Sequence, residues 1–234
     1  MTDEQRQGIL DNARYLQNVR PIDPEEICEY VAGQPHPAVV TQTLREAAAD
    51  LSLVEREDGT FVPAPGGTAE VTLDTVDAFP ERYSHVLEDM LVAEYGPGWP
   101  DGESGDRLRA RIREVKDSYL RREPVEYDDQ TALCYALYHL PAYYATAQYV
   151  LADLVADGLV PASPTVLDVG AGVGGPALGL CDLFPEDALV TYDAVEPSAA
   201  TAVLERFLDE TGRNVHATVH RTTAEAFEPD RSYD

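Results

Sequence analysis

Residues 164–175 read Pro164-Thr165-Val166-Leu167-Asp168-Val169-Gly170-Ala171-Gly172-Val173-Gly174-Gly175. A short apolar run passes directly into a glycine-rich turn, and Pro176 to Phe184 then reads as a helix. Glycine is needed where the backbone takes positive φ or must pass close to a bound group. A helix that starts behind such a turn presents free N–H groups. The alternation continues downstream. Ala188–Val195 predicts a second strand that ends at Glu196-Pro197-Ser198, and Val215–His220 predicts a third, before Thr222–Phe227. Strands alternating with helical segments predict an α/β unit with a parallel sheet.

The glycines fit two patterns at once. Gly170, Gly172 and Gly175 match G-x-G-x-x-G, a dinucleotide fingerprint. Gly170, Gly172 and Gly174 match G-x-G-x-G, a loop that holds S-adenosylmethionine. The flanks favour the second pattern. Asp168 stands two residues before Gly170, where a carboxylate suits a positively charged amino-acid end better than a pyrophosphate. Glu196, at the end of the second strand, is an acceptor-only group able to take two ribose hydroxyls. Asp193 is a second candidate, three residues short of the strand end.

L-D-V-G-A-G-V-G-G, then V-E-P-S, then T-A-E-A-F resembles the class I S-adenosylmethionine-dependent methyltransferase family. The resemblance covers 161–234 and implies the first half of a Rossmann-like domain, with S-adenosylmethionine as cofactor. It places Asp168, Gly170, Ala171, Gly172 and Gly174 at the methionine part, and Glu196 with Pro197 at the ribose. The position that usually faces adenine holds Thr223, with Glu225 beside it. The family's sheet continues beyond three strands, so the sequence reads as truncated, with the first strand left open along one edge. An open apolar edge is an aggregation hazard.

The rest of the chain is acidic. Its 234 residues hold 43 Asp and Glu against 17 Lys and Arg, a net charge of −26, and Lys116 is the one lysine. Acidity with so little lysine predicts a protein kept soluble in concentrated salt. At ~1 M salt the Debye length is about 3 Å, so local charge clusters outweigh the global field. The charge disfavours a generic basic nucleic-acid binder, and no DNA partner is expected. Cys28, Cys134 and Cys181 are isolated and predict buried apolar positions; no metal site is expected. The N-terminus lacks a signal layout, which predicts a cytoplasmic protein. Thr131–Ala152 carries no charge but contains Pro141, His139, Gln148 and tyrosines, and predicts a buried helix pair, not a membrane span.

Residues 1–66 predict three helices (Asp3–Val19, Pro24–Val31 and Val39–Leu51) and a hairpin around Asp58-Gly59. This order resembles a winged helix. The module holds 12 acids against 5 bases, which favours a packing or protein-contact role over DNA reading. Residues 67–160 predict a helical region with helices at Phe79–Tyr95 and Arg107–Arg122. The second has Leu108, Ile112, Val115 and Tyr119 on one stripe. Its other faces carry Arg107, Arg109, Arg111, Arg113, Lys116, Arg121 and Arg122, 7 of the 17 basic residues. These are candidate RNA-binding residues, or a solvated face paired with neighbouring acids.

Tyr135-Ala-Leu-Tyr-His-Leu-Pro-Ala-Tyr-Tyr-Ala145, Val150-Leu-Ala-Asp-Leu154 and Pro161-x-x-Pro-Thr-Val-Leu-Asp168 resemble the mitochondrial small-ribosomal-subunit methyltransferase-like family and its archaeal and bacterial relatives. That resemblance implies association with the small ribosomal subunit or its rRNA. His139 stands where that family usually has arginine. Its eukaryotic relatives also carry a cysteine-ligated iron–sulfur site, which the three cysteines here do not supply. The functional expectation is methyl transfer to ribosomal RNA. The alternatives are a non-catalytic assembly factor that keeps the fold, and a small-molecule methyltransferase with a winged-helix-like dimerisation module.

Overall fold

The computed structural model describes residues 1–73 and 75–234. The first unit is α1 (Asp3–Leu16), α2 (Pro24–Tyr30), α3 (Pro37–Leu51), β1 (Leu53–Glu55) and β2 (Phe61–Pro63). Thr2 and Gln5 form a capping box at the start of α1. Asp23 caps α2 ahead of Pro24. These contacts satisfy N–H groups that a helix start leaves free. Ile9, Ala13 and Leu16 recur on one face of α1 and pack with Ile22, Ile27, Val40, Leu44, Leu53 and Phe61 in a core of their own. β1 and β2 pair antiparallel, and Ile22 bridges Phe61 beside them.

The middle of the chain holds α4 (Glu81–Tyr95), α5 (Gly102–Arg121) and α6 (Asp129–Ala156). α6 corrects the expected helix pair: it is one helix of 28 residues with Pro141 inside it. Proline removes one helix hydrogen bond, and here it lies on an exposed face, where that loss costs least. The helix is also less buried than its composition suggests, since Tyr138, Tyr143, Tyr149, Val150 and Leu154 are exposed. Among the described residues, no helix is long and apolar enough to cross a membrane. The stripe on α5 is buried only at its start. Leu108 is buried and Ile112 partly so, whereas Tyr119 is 75% exposed.

The last part alternates β3 (Thr165–Val169), α7 (Gly175–Leu183), β4 (Val190–Val195), α8 (Ala200–Leu208) and β5 (Val215–His220). The three strands form a parallel sheet in the order β3-β4-β5, with Leu167 opposite Asp193 and Asp193 opposite Thr218. This is the mixed α/β architecture with a parallel sheet that the alternation predicts. β4, the central strand, is buried throughout. β3 borders the sheet; at its start the Asp234 N–H donates to the Thr165 carbonyl (2.9 Å) and the Thr165 N–H to the Asp234 carboxylate (2.8 Å). α4 and α6 share a core with Leu178 of α7 and Val203 and Phe207 of α8. The helical middle therefore packs on the helices that follow β3 and β4.

Two contacts fix these parts to one another. On α6 against α7, an added Cβ at Gly175 would stand 2.6 Å from Tyr143 Cβ, and one at Gly179 would stand 2.6 Å from the Tyr144 carbonyl. These two glycines let the helices touch along their backbones. Behind them Asp182 accepts from Arg82, from the Tyr83 hydroxyl (2.8 Å) and from the Tyr144 hydroxyl (2.9 Å), joining α4, α6 and α7. At the other junction, buried Asn214 accepts from the Glu55 N–H (2.7 Å) and donates to the Glu55 carbonyl (3.0 Å) and the Glu186 carbonyl (2.6 Å). That amide holds the N-terminal hairpin on the sheet.

Candidate functional site

The loop after β3 is held from below by the central strand. The Gly170 N–H donates to the Val195 carbonyl at 2.8 Å, and Ala171 is buried. Gly170, Gly172 and Gly174 have φ of 79°, 55° and 88°, left-handed conformations that side chains disfavour. The structure separates their roles. A Cβ on Gly170 would meet nothing within 4 Å, and one on Gly172 only the Gly170 carbonyl at 3.9 Å. Both therefore border open space. A Cβ on Gly174 would collide with Leu204, and one on Gly175 with Tyr143. The third glycine of either sequence pattern is thus required by packing, so the glycines alone could not discriminate between ligands.

Glu196 closes this space at the end of β4. One carboxylate oxygen accepts from the Gly172 N–H (3.0 Å) and the other from the Ser198 N–H (2.9 Å). The side chain is thereby fixed with lone pairs to spare, because an ionised carboxylate has about four acceptor positions. Gly170, Gly172, Val173, Glu196, Ser198 and Ala200 line a cavity of about 200 Å³ with Tyr127 and Tyr135. Pro197 is exposed beside it.

Asp168, near the end of β3, accepts from the Tyr192 hydroxyl. Burial is the main cause that pushes its carboxyl above the usual carboxylate range; the Tyr192 hydrogen bond opposes this, and the charge of Glu196 adds to it. Asp168 borders a second, more apolar cavity of about 340 Å³ with Tyr143, Val150, Leu151 and Tyr192.

Other expected residues are placed elsewhere. Asp193 does not face the loop. It accepts from His220 (2.7 Å) and from the Tyr233 hydroxyl (3.2 Å). It is one residue out of phase with Tyr192, and successive residues of a strand point to opposite faces. Thr223 and Glu225 lie in the exposed turn after β5, where a hydrogen bond from its own backbone N–H, and then one from Thr223, hold the Glu225 carboxyl below its usual range. Neither borders the cavity at Glu196.

The basic helix is divided. Arg111 donates to Glu114, Asp128 and Thr131; Arg109 to Asp106 and the Pro100 carbonyl; Arg107 lies over the Tyr95 ring at 5.6 Å. Arg113, Lys116, Arg121 and Arg122 are exposed and make no ion pair among the described residues. In the N-terminal module, Arg45 of α3 is bound by both oxygens of Glu55 at 2.6 Å.

Sequence reasoning did not find the aromatic group beside the loop. The Tyr135 and Tyr143 rings stack at 6.2 Å and 13°; His139 lies 4.6 Å from Tyr135, and Tyr127 packs edge-on to Tyr135 at 5.9 Å. The spacing 135, 139, 143 was its signal, since residues four apart share a helix face.

Residues 6–57 match the N-terminal domain of DUF8157, a domain of unknown function. No curated protein matches the chain. Among solved structures, it is similar to N,N-8-amino-8-demethyl-D-riboflavin dimethyltransferase from Streptomyces davawensis. The identity is 16% and the TM-score 0.27, over 92% of this chain and 62% of that one. It is also similar to the pyocyanin biosynthetic protein PhzM, at 14% identity and a TM-score of 0.21, over 92% of this chain and 60% of that one. An O-methyltransferase of neocarzinostatin biosynthesis, solved with S-adenosyl-L-homocysteine, gives 14% identity and a TM-score of 0.21, over 94% of this chain and 67% of that one. The chain spans about three fifths of the length of the first two structures.

Proposed function

We propose that this chain binds S-adenosylmethionine at the loop after β3 and serves methyl transfer to a small-molecule acceptor. The observation that carries the reading is the open face of Gly170 and Gly172 set against the fixed carboxylate of Glu196. These residues fit the cofactor. Glu196 retains acceptor capacity for two ribose hydroxyls, and Asp168 offers a carboxylate for the ammonium of the methionine part. A pyrophosphate would meet Asp168 and Glu196 and no cation lining either cavity among the described residues. The bound cofactor supplies an electrophilic methyl group. The chain supplies position, which accounts for much of the rate in such a transfer.

A small acceptor is favoured by the division of the basic helix, whose Arg107, Arg109 and Arg111 are engaged within the chain. A second reading, action on small-subunit ribosomal RNA, is supported by the exposed Arg113, Lys116, Arg121 and Arg122. The winged-helix-like order of the first module suits a dimerisation or packing element.

Calorimetry with S-adenosylhomocysteine tests the cofactor site. The expected result is binding that Gly172→Arg abolishes and Glu196→Ala weakens about 10–100-fold, the loss of hydrogen bonds to a charged group. Unchanged affinity in both variants refutes the site. Crosslinking followed by recovery of 16S rRNA, rather than small metabolites, would favour the ribosomal reading.

A further inference from the structure

We infer that the connection between α5 and α6, residues 122–128, is a movable wall of the cavity at Glu196, and that Arg111 is the positioning residue that latches it shut. This role rests on the cofactor reading above and adds to it a control of ligand entry and exit.

Tyr127 is the member of the connection that borders the cavity, together with Gly170, Gly172, Glu196 and Ser198. The cavity holds about 200 Å³, so a ligand that fills it lies against Tyr127. The Tyr127 carbonyl accepts from the Ala199 N–H at 3.2 Å. Ala199 stands between Ser198 and Ala200, which border the same cavity. The connection is therefore closed onto the loop that follows Glu196.

Little burial holds it there. Residues 122–124, 126 and 128 are exposed, and Val125 and Tyr127 are half-buried. The Tyr127 ring packs edge-on to Tyr135 at 5.9 Å. On α5 the buried residues are Gly105 and Leu108, both in the first half of the helix. The far half of α5 and the connection thus draw no stability from the core, and such segments open at low cost.

A polar tie next to Tyr127 compensates. Asp128 caps α6: one oxygen accepts from the Thr131 N–H at 2.8 Å, and the other accepts from Arg111 at 2.8 Å. Arg111 also donates to the Thr131 hydroxyl (2.8 Å) and to Glu114 (2.8 Å). The guanidinium therefore joins α5 to the start of α6 one residue from the cavity wall. Hydrogen bonds between ionised partners are stronger than neutral ones. Without this tie, the wall keeps the Ala199 bond and one ring contact.

Ligand passes when the wall is open, and the latch sets how often that happens in the free and the loaded chain alike. Weakening the latch then speeds entry and exit by the same factor and leaves the equilibrium nearly unchanged. Damage to the cavity itself has another signature: exit speeds up alone, and affinity falls with it.

The test is surface plasmon resonance of S-adenosylhomocysteine on the immobilised full chain. Arg111→Gln should raise the association and dissociation rates each by about 3–10-fold, the scale of one partly exposed charged hydrogen bond, and keep Kd within about twofold. Asp128→Asn keeps the cap and weakens the tie. It should move both rates the same way, and it carries the test if Arg111→Gln does not fold. Arg113→Gln removes the same charge from an exposed site on the same helix and should leave both rates at the parent values. In Tyr127→Ala, which lacks the wall, Arg111→Gln should add no further acceleration. Unmoved rates in the Arg111 and Asp128 variants, faster dissociation with a matching loss of affinity, the same acceleration in Arg113→Gln, or a further acceleration on top of Tyr127→Ala would overturn the inference and leave the cofactor site standing. A parent chain that does not bind S-adenosylhomocysteine would overturn the cofactor reading, and the latch with it.

Discussion

Replacing Asn214 by aspartate changes one amide NH₂ into an oxygen and leaves the shape almost untouched. The side chain is buried, 3% exposed, and its NH₂ donates to two carbonyls, Glu55 at 3.0 Å and Glu186 at 2.6 Å. In Asn214→Asp the bond from the Glu55 N–H survives, while both carbonyls face an acceptor. Two donated bonds are lost, and two buried acceptors are left opposite a negative charge. Each buried polar group without a partner costs about 1–3 kcal/mol, so the ionised variant should lose about 2–5 kcal/mol. The loss should depend on pH. The fold disfavours the ionised form, so the introduced carboxyl titrates above its unfolded value of about 3.9. A carboxyl raised in the fold binds more protons folded than unfolded between the two values, so stability falls as pH rises through that window. Below it, the protonated acid can donate to one carbonyl and recovers part of the loss. Urea unfolding of variant and parent at about pH 4.5 and about pH 7.5 measures this, and the difference between the two chains cancels the other carboxylates. Asn214→Ala is the control: it loses the same clasp without adding a titrating group, and its difference should stay constant with pH. A variant as stable as the parent at about pH 7.5, or a difference independent of pH, would refute the assignment of Asn214 as the clasp between hairpin and sheet.

Gly179→Ala should destabilise by about 1–2 kcal/mol although alanine is the better helix former. The helix gain is about 1 kcal/mol, but the new methyl stands 2.6 Å from the Tyr144 carbonyl, and overpacking costs up to about 3 kcal/mol; a thermal melt with an unchanged or raised midpoint would contradict the close α6–α7 contact. Asp168→Asn should weaken S-adenosylmethionine binding without lowering stability at neutral pH, since the Tyr192 hydroxyl still finds an acceptor. The parent, whose Asp168 carboxyl is raised by burial, should lose stability relative to the variant, and gain affinity for the cation, as pH rises through that titration; parallel pH profiles for the two chains would count against this. Asp182→Ala leaves the Tyr83 and Tyr144 hydroxyls without their acceptor and should cost about 2–4 kcal/mol, read by urea unfolding; a loss under about 1 kcal/mol would show that the α4–α6–α7 junction does not depend on it.

Much of the fold was legible in short stretches of sequence. Asp23-Pro24 marked the start of α2, Asp58-Gly59 the hairpin, and the apolar run from Thr165 to Val169 the strand ahead of the glycine loop. Each is a local decision, made by caps, turn residues and period. Pro141 misled because it forbids an interior helix bond, yet α6 continues where that bond faces outward. Arg107–Arg122 read as one basic stripe because charge is visible in sequence. That Arg111 would be drawn to Asp128 and Thr131 on the neighbouring helix was not.

Local signals along the chain set the elements and their order, α6 apart, and supplied the groups available at the loop: glycines, one carboxylate before them and one at the next strand end. The tertiary structure decided which of those groups meet. It turned Gly170 and Gly172 to open space and Gly174 and Gly175 into helix contacts, gave Asp193 to His220 and Tyr233, and set Tyr135 beside Gly170 and Gly172 and Tyr143 against Gly175. The physical reason is range. Caps and periods act over a few residues, whereas the contacts that assign roles join residues far apart in sequence, up to Glu55 and Asn214, which stand 159 positions apart, and only the packed chain brings such partners together.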